Sequence, residues 1–207
     1  MKLSEFYLQE HSSVHSGAVT LPGSEFSSGF SIEDTLYKNL PDDLARRRPQ
    51  PGVNSIAWLT WHMARCEDVA MNMVIAGEQQ VLESGSWMER LGVSRRDIGT
   101  GMSDDEVGDF TGAVEIAALR AYRAAVGRRT RQIVDTLEPS ALARLPNPAH
   151  LERAFADGAL GDRAMWVGQF WQGKTVGWFL WLGTGHNFLH LGEASLIRTL
   201  VVASGEA

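Results

Sequence analysis

The sequence has 207 residues, a length that a single hydrophobic core can still support, so we expect one domain spanning residues 1–207. A net charge of −6 and an isoelectric point near 5.5 argue against binding to the phosphate backbone of nucleic acids. The single cysteine, Cys66, cannot form an intramolecular disulfide, and every apolar run is shorter than the roughly 20 residues that cross a membrane. With no secretory signal pattern at the N-terminus, these features indicate a cytoplasmic protein without a membrane or nucleic-acid partner.

The N-terminal part of the chain is expected to form one helix followed by a shorter helical segment. Leu3, Phe6 and Val14 have the spacing of one helix face. The Gly- and Ser-rich stretch from Gly23 to Ser31 breaks the chain after this helix, and Ser31 is the predicted N-cap of the next segment.

Three longer helices are predicted downstream. Apolar residues recur at three- and four-residue spacing over 54–76, with Asn54 or Ser55 as the N-cap. A second periodic segment covers 114–137, and a third, apolar enough to be the central helix, covers 175–202. The arginines of the second segment are expected on its solvated side: Arg120, Arg123, Arg128, Arg129 and Arg131.

Two long stretches, Glu78–Met102 and Pro139–Gly173, have no sustained periodicity. Connections of this length in a compact domain are usually functional or lid-like. Between them, Ser103 and Glu106 have the spacing of a capping box, which predicts the start of a short helix. Because no convincing strand is present, the sequence predicts an all-α fold, a four-helix bundle with long crossover connections.

Three histidines are the strongest candidates for chemistry. His186 and His190 are four residues apart on one helix, so their side chains project from the same face and suit one metal ion. His62 lies in the apolar stripe of its own helix, where an imidazole must be hydrogen-bonded or coordinated. We therefore expect these three residues to form a metal site. Because Asn187 follows His186, the H-E-x-x-H signature of zinc peptidases is absent.

Other polar residues near these histidines allow two readings each. Glu193 is the candidate catalytic residue, as a proton acceptor or as a partner that orients His190, although a solvated helix position is equally compatible. Cys66 is either a thiolate ligand or a buried, inert cysteine. His11 and His15 are expected on a solvated face without a ligand role.

Most tryptophans fit core packing, but together they are able to wall an apolar pocket: Trp58, Trp61, Trp87, Trp166, Trp171, Trp178 and Trp181.

Two segments of the chain resemble a known family. Residues 54–68, with an apolar lead into His62, and residues 186–193, with two histidines four apart, are similar to the DinB-like four-helix proteins. This fold is also that of the bacillithiol and mycothiol transferases and includes mycothiol-dependent maleylpyruvate isomerase. The resemblance covers about Ser31 to Val202, so residues 1–30, an N-terminal helix and extension, are expected to diverge from the family.

The resemblance implies a divalent ion, zinc or nickel, bound by His62, His186 and His190. It further implies that the ion holds a low-molecular-weight thiol as thiolate, and that the protein is a thiol S-transferase for small electrophiles. Few lysines among many basic residues favour mycothiol as the thiol. Two alternatives remain open, a metal-assisted hydrolase with Glu193 as base and a non-catalytic metal- or ligand-binding protein. We also expect a homodimer.

Overall fold

A computed structural model describes residues 3–20 and 30–204, and these residues form helices joined by turns and loops. Their helices are α1 (Leu3–Val14), α2 (Ile32–Tyr37), α3 (Asp42–Arg46), α4 (Ile56–Asp68), α5 (Trp87–Leu91), α6 (Asp104–Ala113), α7 (Ile116–Asp135), α8 (Pro148–Ala156), α9 (Met165–Trp171), α10 (Val176–Leu180) and α11 (Gly185–Ala203). The all-α prediction is confirmed. No helix within the described ranges has both the length and the apolar character to cross a membrane.

The longest helices, α1, α4, α7 and α11, pack side by side as the bundle. Helix α4 is central, because it contacts both α7 and α11, and it is extended by a π-helical segment, Val69–Ile75. Two groups of buried apolar side chains surround it, one along α4 and the other around the π-helical segment. The central helix is therefore α4, whereas the sequence predicted the last helix.

The predicted helix boundaries are set by capping groups. The Ser55 hydroxyl accepts a hydrogen bond from the Trp58 amide, so Ser55 caps α4. Gly77, with a φ of 70°, follows the π-helical segment. Ser31 caps α2, and Ser103 with Glu106 forms the predicted capping box of α6. In the predicted break between the first two helices, residues 23–29 lie outside the described part of the chain.

The two stretches predicted as long connections are partly helical, which corrects that expectation. The first contains α5, and the second contains α8 and α9. These helices are short, with 5, 9 and 7 residues, and therefore show too few turns for a clear periodicity.

The predicted helix over 175–202 is divided in two. Helix α10 continues into a 3-10 turn, Trp181–Gly183, and α11 begins only at Gly185. Thr184 between them has a ψ of −81°, outside regular helix geometry. A β-carbon at Gly185 would overlap the indole nitrogen of Trp181, so glycine is required where this indole packs against the start of α11.

Charged side chains are buried inside the bundle, contrary to the expectation for α7. Arg123 is fully buried and its Nε donates to Glu33 Oε2 at 2.9 Å, while Arg131 is also buried and donates to the Leu8 carbonyl. On α4, Arg65 donates to the Asp68 carboxylate at 2.9 Å. Periodicity alone assigned Arg123 and Arg131 to solvent, but ion pairing and carbonyl acceptors offset the cost of burying them.

Candidate metal centre

The three predicted metal ligands come together between α4 and α11. The ring centroid of His62 lies 5.1 Å from that of His186 and 4.8 Å from that of His190. The centroids of His186 and His190 are 4.6 Å apart, as their spacing of one helical turn requires. The structure therefore places all three imidazoles in one cluster, although they come from helices separated by more than a hundred residues of sequence.

The relative tilts of the rings suit coordination of one ion. A metal ion binds an imidazole nitrogen in the plane of the ring, so several imidazoles on one ion have planes that intersect. The interplanar angles are 54° for His62 with His186, 89° for His62 with His190 and 76° for His186 with His190. Each pair of ring planes therefore intersects, as coordination of one ion requires.

Hydrogen bonds fix which nitrogen two of the three rings offer. His62 Nδ1 donates to the Ile98 carbonyl at 2.7 Å, which leaves the lone pair on Nε2. His190 Nδ1 donates to Glu193 Oε2 at 3.0 Å, again leaving Nε2. Carboxylates and backbone carbonyls are the usual partners of metal-binding histidines. Among the residues that the structure describes, His186 Nδ1 is buried without a hydrogen-bond partner, so neither of its nitrogens is fixed by a hydrogen bond to them.

Burial keeps two of the rings in the neutral form that binds metals. Burial first, and the nearby His190 second, lower the pKa of His62 to about 4. The pKa of His186 is lowered to about 2, mainly by burial and then by the neighbouring His62 and His190. The lone pairs are therefore free at neutral pH, and the residues fit a divalent ion such as zinc or nickel.

Cys66 lies one turn after His62 and adjoins the same cluster. Its Sγ is 3.8 Å from both ring nitrogens of His62, and atoms of Cys66, His62 and His186 lie within 4.8 Å of one another. Burial raises the pKa of the thiol to about 12, so the side chain is a neutral thiol unless a cation binds beside it. The position is compatible with both readings of Cys66, as an inert core residue or as a ligand.

Two tryptophans border the cluster on different sides. The indole of Trp58 stacks on His62, with centroids 5.0 Å apart and an interplanar angle of 8°, and it is buried. Trp181 lies 6.0 Å from His186 and is 41% exposed. The side chains of His190 and Glu193 are 24% and 41% exposed. The cluster is therefore closed on the Trp58 side and open to solvent near His190.

A second group of possible metal ligands lies deeper in the bundle, and it corrects the prediction for α1. His11 and His15 are fully buried, not solvated, and each donates through Nε2 to one oxygen of Glu67, at 3.0 and 2.8 Å. Thr130 and Asn187 donate to the same carboxylate. We call these five residues the carboxylate network; it joins α1, α4, α7 and α11.

The carboxylate network has the geometry of a hydrogen-bonded anion. The rings of His11 and His15 are stacked 4.1 Å apart at an angle of 22°, and each donates its Nε2 hydrogen to Glu67, which leaves no Nε2 lone pair for an ion. Burial alone would raise the pKa of Glu67, but the charge interaction with His15 and the hydrogen bonds from both imidazoles hold it well below its usual range. Sequence reasoning missed Glu67; the available signal was an acidic residue within the apolar helix that carries His62.

Comparison with known proteins agrees with this architecture. The sequence profile of the DinB superfamily matches residues 34–194, which include every residue of the histidine cluster. No curated protein matches the sequence. The crystal structure of a conserved protein from Enterococcus faecalis is similar in fold, with a TM-score of 0.64 and 19% sequence identity over 98% of this chain and 99% of that chain. On the strength of the profile match over most of its length, the chain belongs to the DinB superfamily.

Proposed function

We propose that this protein is a divalent-metal-dependent enzyme, a thiol S-transferase that joins a low-molecular-weight thiol to small electrophiles. The observation that carries the proposal is the cluster of His62, His186 and His190, whose ring centroids lie 4.6–5.1 Å apart. Zinc or nickel is the ion we expect there. With three protein ligands, such a site keeps coordination positions open for small molecules, which is typical of catalytic metal sites.

The protein residues hold and shape the site. A bound divalent ion lowers the pKa of a coordinated thiol and so supplies a thiolate at neutral pH. His62 is oriented by the Ile98 carbonyl, and Trp58 covers its ring and keeps water from that side. The side near His190 is partly exposed, and we expect substrates to enter there.

Glu193 acts in this proposal through His190. Its Oε2 accepts the Nδ1 hydrogen of His190 at 3.0 Å, which fixes the tautomer and the orientation of the ring. We therefore assign it as a positioning residue. Its role as a proton acceptor stays a prediction and belongs to the alternative in which the protein is a hydrolase.

Turnover assays test the proposal. The zinc- or nickel-loaded protein is incubated with a panel of thiols, including mycothiol, and 1-chloro-2,4-dinitrobenzene, and separately with ester and amide substrates. We expect thiol-dependent product formation that is lost in His186→Ala. Hydrolysis without thiol would instead support the hydrolase, and a bound ion without turnover in either assay would support a binding protein.

The remaining expectations about partners stay predictions. Mycothiol as the thiol, the cytoplasmic location and the homodimer belong to this group. Leu189, Leu196 and Leu200 on α11 are exposed, and size-exclusion chromatography with light scattering measures whether the chain self-associates.

A further inference from the structure

A row of partly exposed aromatic side chains leads to the histidine cluster. Phe170 and Trp181 are 51% and 41% exposed, and Trp178 between them is half-buried. The ring centroids are 5.4 Å apart for Phe170 with Trp178 and 6.3 Å apart for Trp178 with Trp181, and Trp181 is 6.0 Å from His186. We call Phe170, Trp178 and Trp181 the aromatic ledge.

The position of the ledge is built into the fold. Trp181 lies in the break between α10 and α11, where glycine at position 185 leaves room for its indole. The same break places His186 in the first turn of α11. The ledge therefore ends beside the His186 ring of the candidate metal centre. Large aromatic side chains left in solvent beside such a centre are typical of ligand-binding surfaces.

A cation accompanies the ledge. The Lys174 ammonium lies 4.4 Å from the ring centroid of Phe170 and 5.6 Å from that of Trp178. Across residues 3–20 and 30–204, Lys174 takes part in none of the ion pairs. An anionic ligand on the ledge would therefore find a cation without a carboxylate partner.

We propose that the aromatic ledge binds the flat aromatic ring of an anionic small molecule, with Lys174 facing the anionic group and the molecule extending toward His186. Stacking on the indoles selects the ring, and the ammonium selects the charge. This inference rests on the proposed function in one respect, since it identifies the bound molecule as a substrate of the histidine site. Binding itself is measurable without turnover.

Calorimetric titration of the zinc-loaded, full-length protein tests the proposal with three probes. 2-Naphthoate has both features, 2-naphthamide lacks the charge, and cyclohexanecarboxylate lacks the aromatic ring. We expect 2-naphthoate to bind most tightly. Trp181→Ala is expected to weaken its binding about tenfold, and Lys174→Met about fivefold, with 2-naphthamide insensitive to the lysine change.

Matched controls separate the ledge from general surface effects. Trp166→Ala removes another exposed tryptophan, 59% exposed, and Lys38→Met removes an exposed lysine that is not part of the ledge. Both are expected to retain wild-type binding of 2-naphthoate. Absence of binding by the wild type, equal binding by Trp181→Ala, or equal affinity for the acid and the amide would overturn the proposal.

Zinc content and thiol turnover, measured on the same preparations, keep the two proposals apart. If the zinc-loaded protein turns over a thiol with an electrophile but fails to bind 2-naphthoate, the inference about the ledge is wrong and the proposed function stands. If 2-naphthoate binds through Trp181 and Lys174 but no thiol-dependent turnover occurs, the ledge is a binding site and the proposed function is wrong.

Discussion

Replacing His15 by glutamine is expected to remove part of the acid sensitivity of folding. His15 is fully buried and donates to Glu67 at 2.8 Å, and burial lowers its pKa from an ordinary value of 6.5 to about 3. In the unfolded chain the imidazole takes up a proton below about pH 6.5, whereas in the folded protein it stays neutral. The unfolded state therefore binds more protons, and stability falls as the pH drops from about 6.5 toward 3.

The magnitude follows from the two pKa values. Near pH 7 the unfolded imidazole is mostly neutral, so His15 contributes little pH dependence there. At about pH 5 proton uptake by the unfolded chain lowers the free energy of unfolding by about 2 kcal/mol relative to pH 7. His15→Gln keeps an N–H donor for Glu67 but does not titrate, so its free energy of unfolding does not fall for this reason. Glu67 stays ionised across this range, because its pKa lies well below its usual value.

Urea unfolding of the wild type and His15→Gln at about pH 5 and pH 7 measures the effect, with EDTA present so that metal binding does not contribute. The drop in unfolding free energy should be about 2 kcal/mol larger in the wild type. His150→Gln makes the same change outside the carboxylate network and reports any general effect of replacing a histidine. An equal drop in the wild type and His15→Gln would refute the reasoning.

Four further substitutions have expected outcomes. Glu193→Gln should weaken zinc affinity about 10- to 100-fold in competition with a chromophoric chelator, because the ligand it orients loses its carboxylate partner; unchanged affinity would contradict this role. Thr130→Val removes one donor from the carboxylate network and should lower the free energy of unfolding in urea by about 1–2 kcal/mol. An unchanged free energy of unfolding would show that the network is unimportant for stability. A β-carbon at position 192 would meet open space, so Gly192→Ala should stabilise α11 by about 0.5–1 kcal/mol. In contrast, Gly185→Ala displaces Trp181 and should destabilise the protein. Equal stabilisation by both variants would argue against the packing of Trp181 on Gly185.

The long helices were predictable because their signals are local. Helix α7 has 20 residues and therefore several turns of apolar periodicity, and the Ser55 cap and the Ser103–Glu106 capping box are read directly from neighbouring residues. The break at Thr184 was not predictable in this way. It depends on the packing of Trp181 against Gly185, and glycines within an apolar run do not by themselves end a helix.

The histidine cluster was predictable because His186 and His190 are one turn apart and His62 lies in an apolar stripe. The burial of His11 and His15 was not, since it depends on Glu67, which is 52 residues away from His15. A polar sequence around a histidine pair indicates solvent unless a buried partner is known. The same limitation applies to Arg123, whose partner Glu33 is 90 residues away.

The most direct test of the metal centre is elemental analysis of untagged protein purified without chelator, with His62→Ala, His186→Ala and the control His150→Ala. We expect about one divalent ion per chain in the wild type and the control, and no stoichiometric ion in the two cluster variants. A wild type that stays metal-free after exposure to zinc and nickel, or variants that retain the ion, would contradict the three-histidine centre.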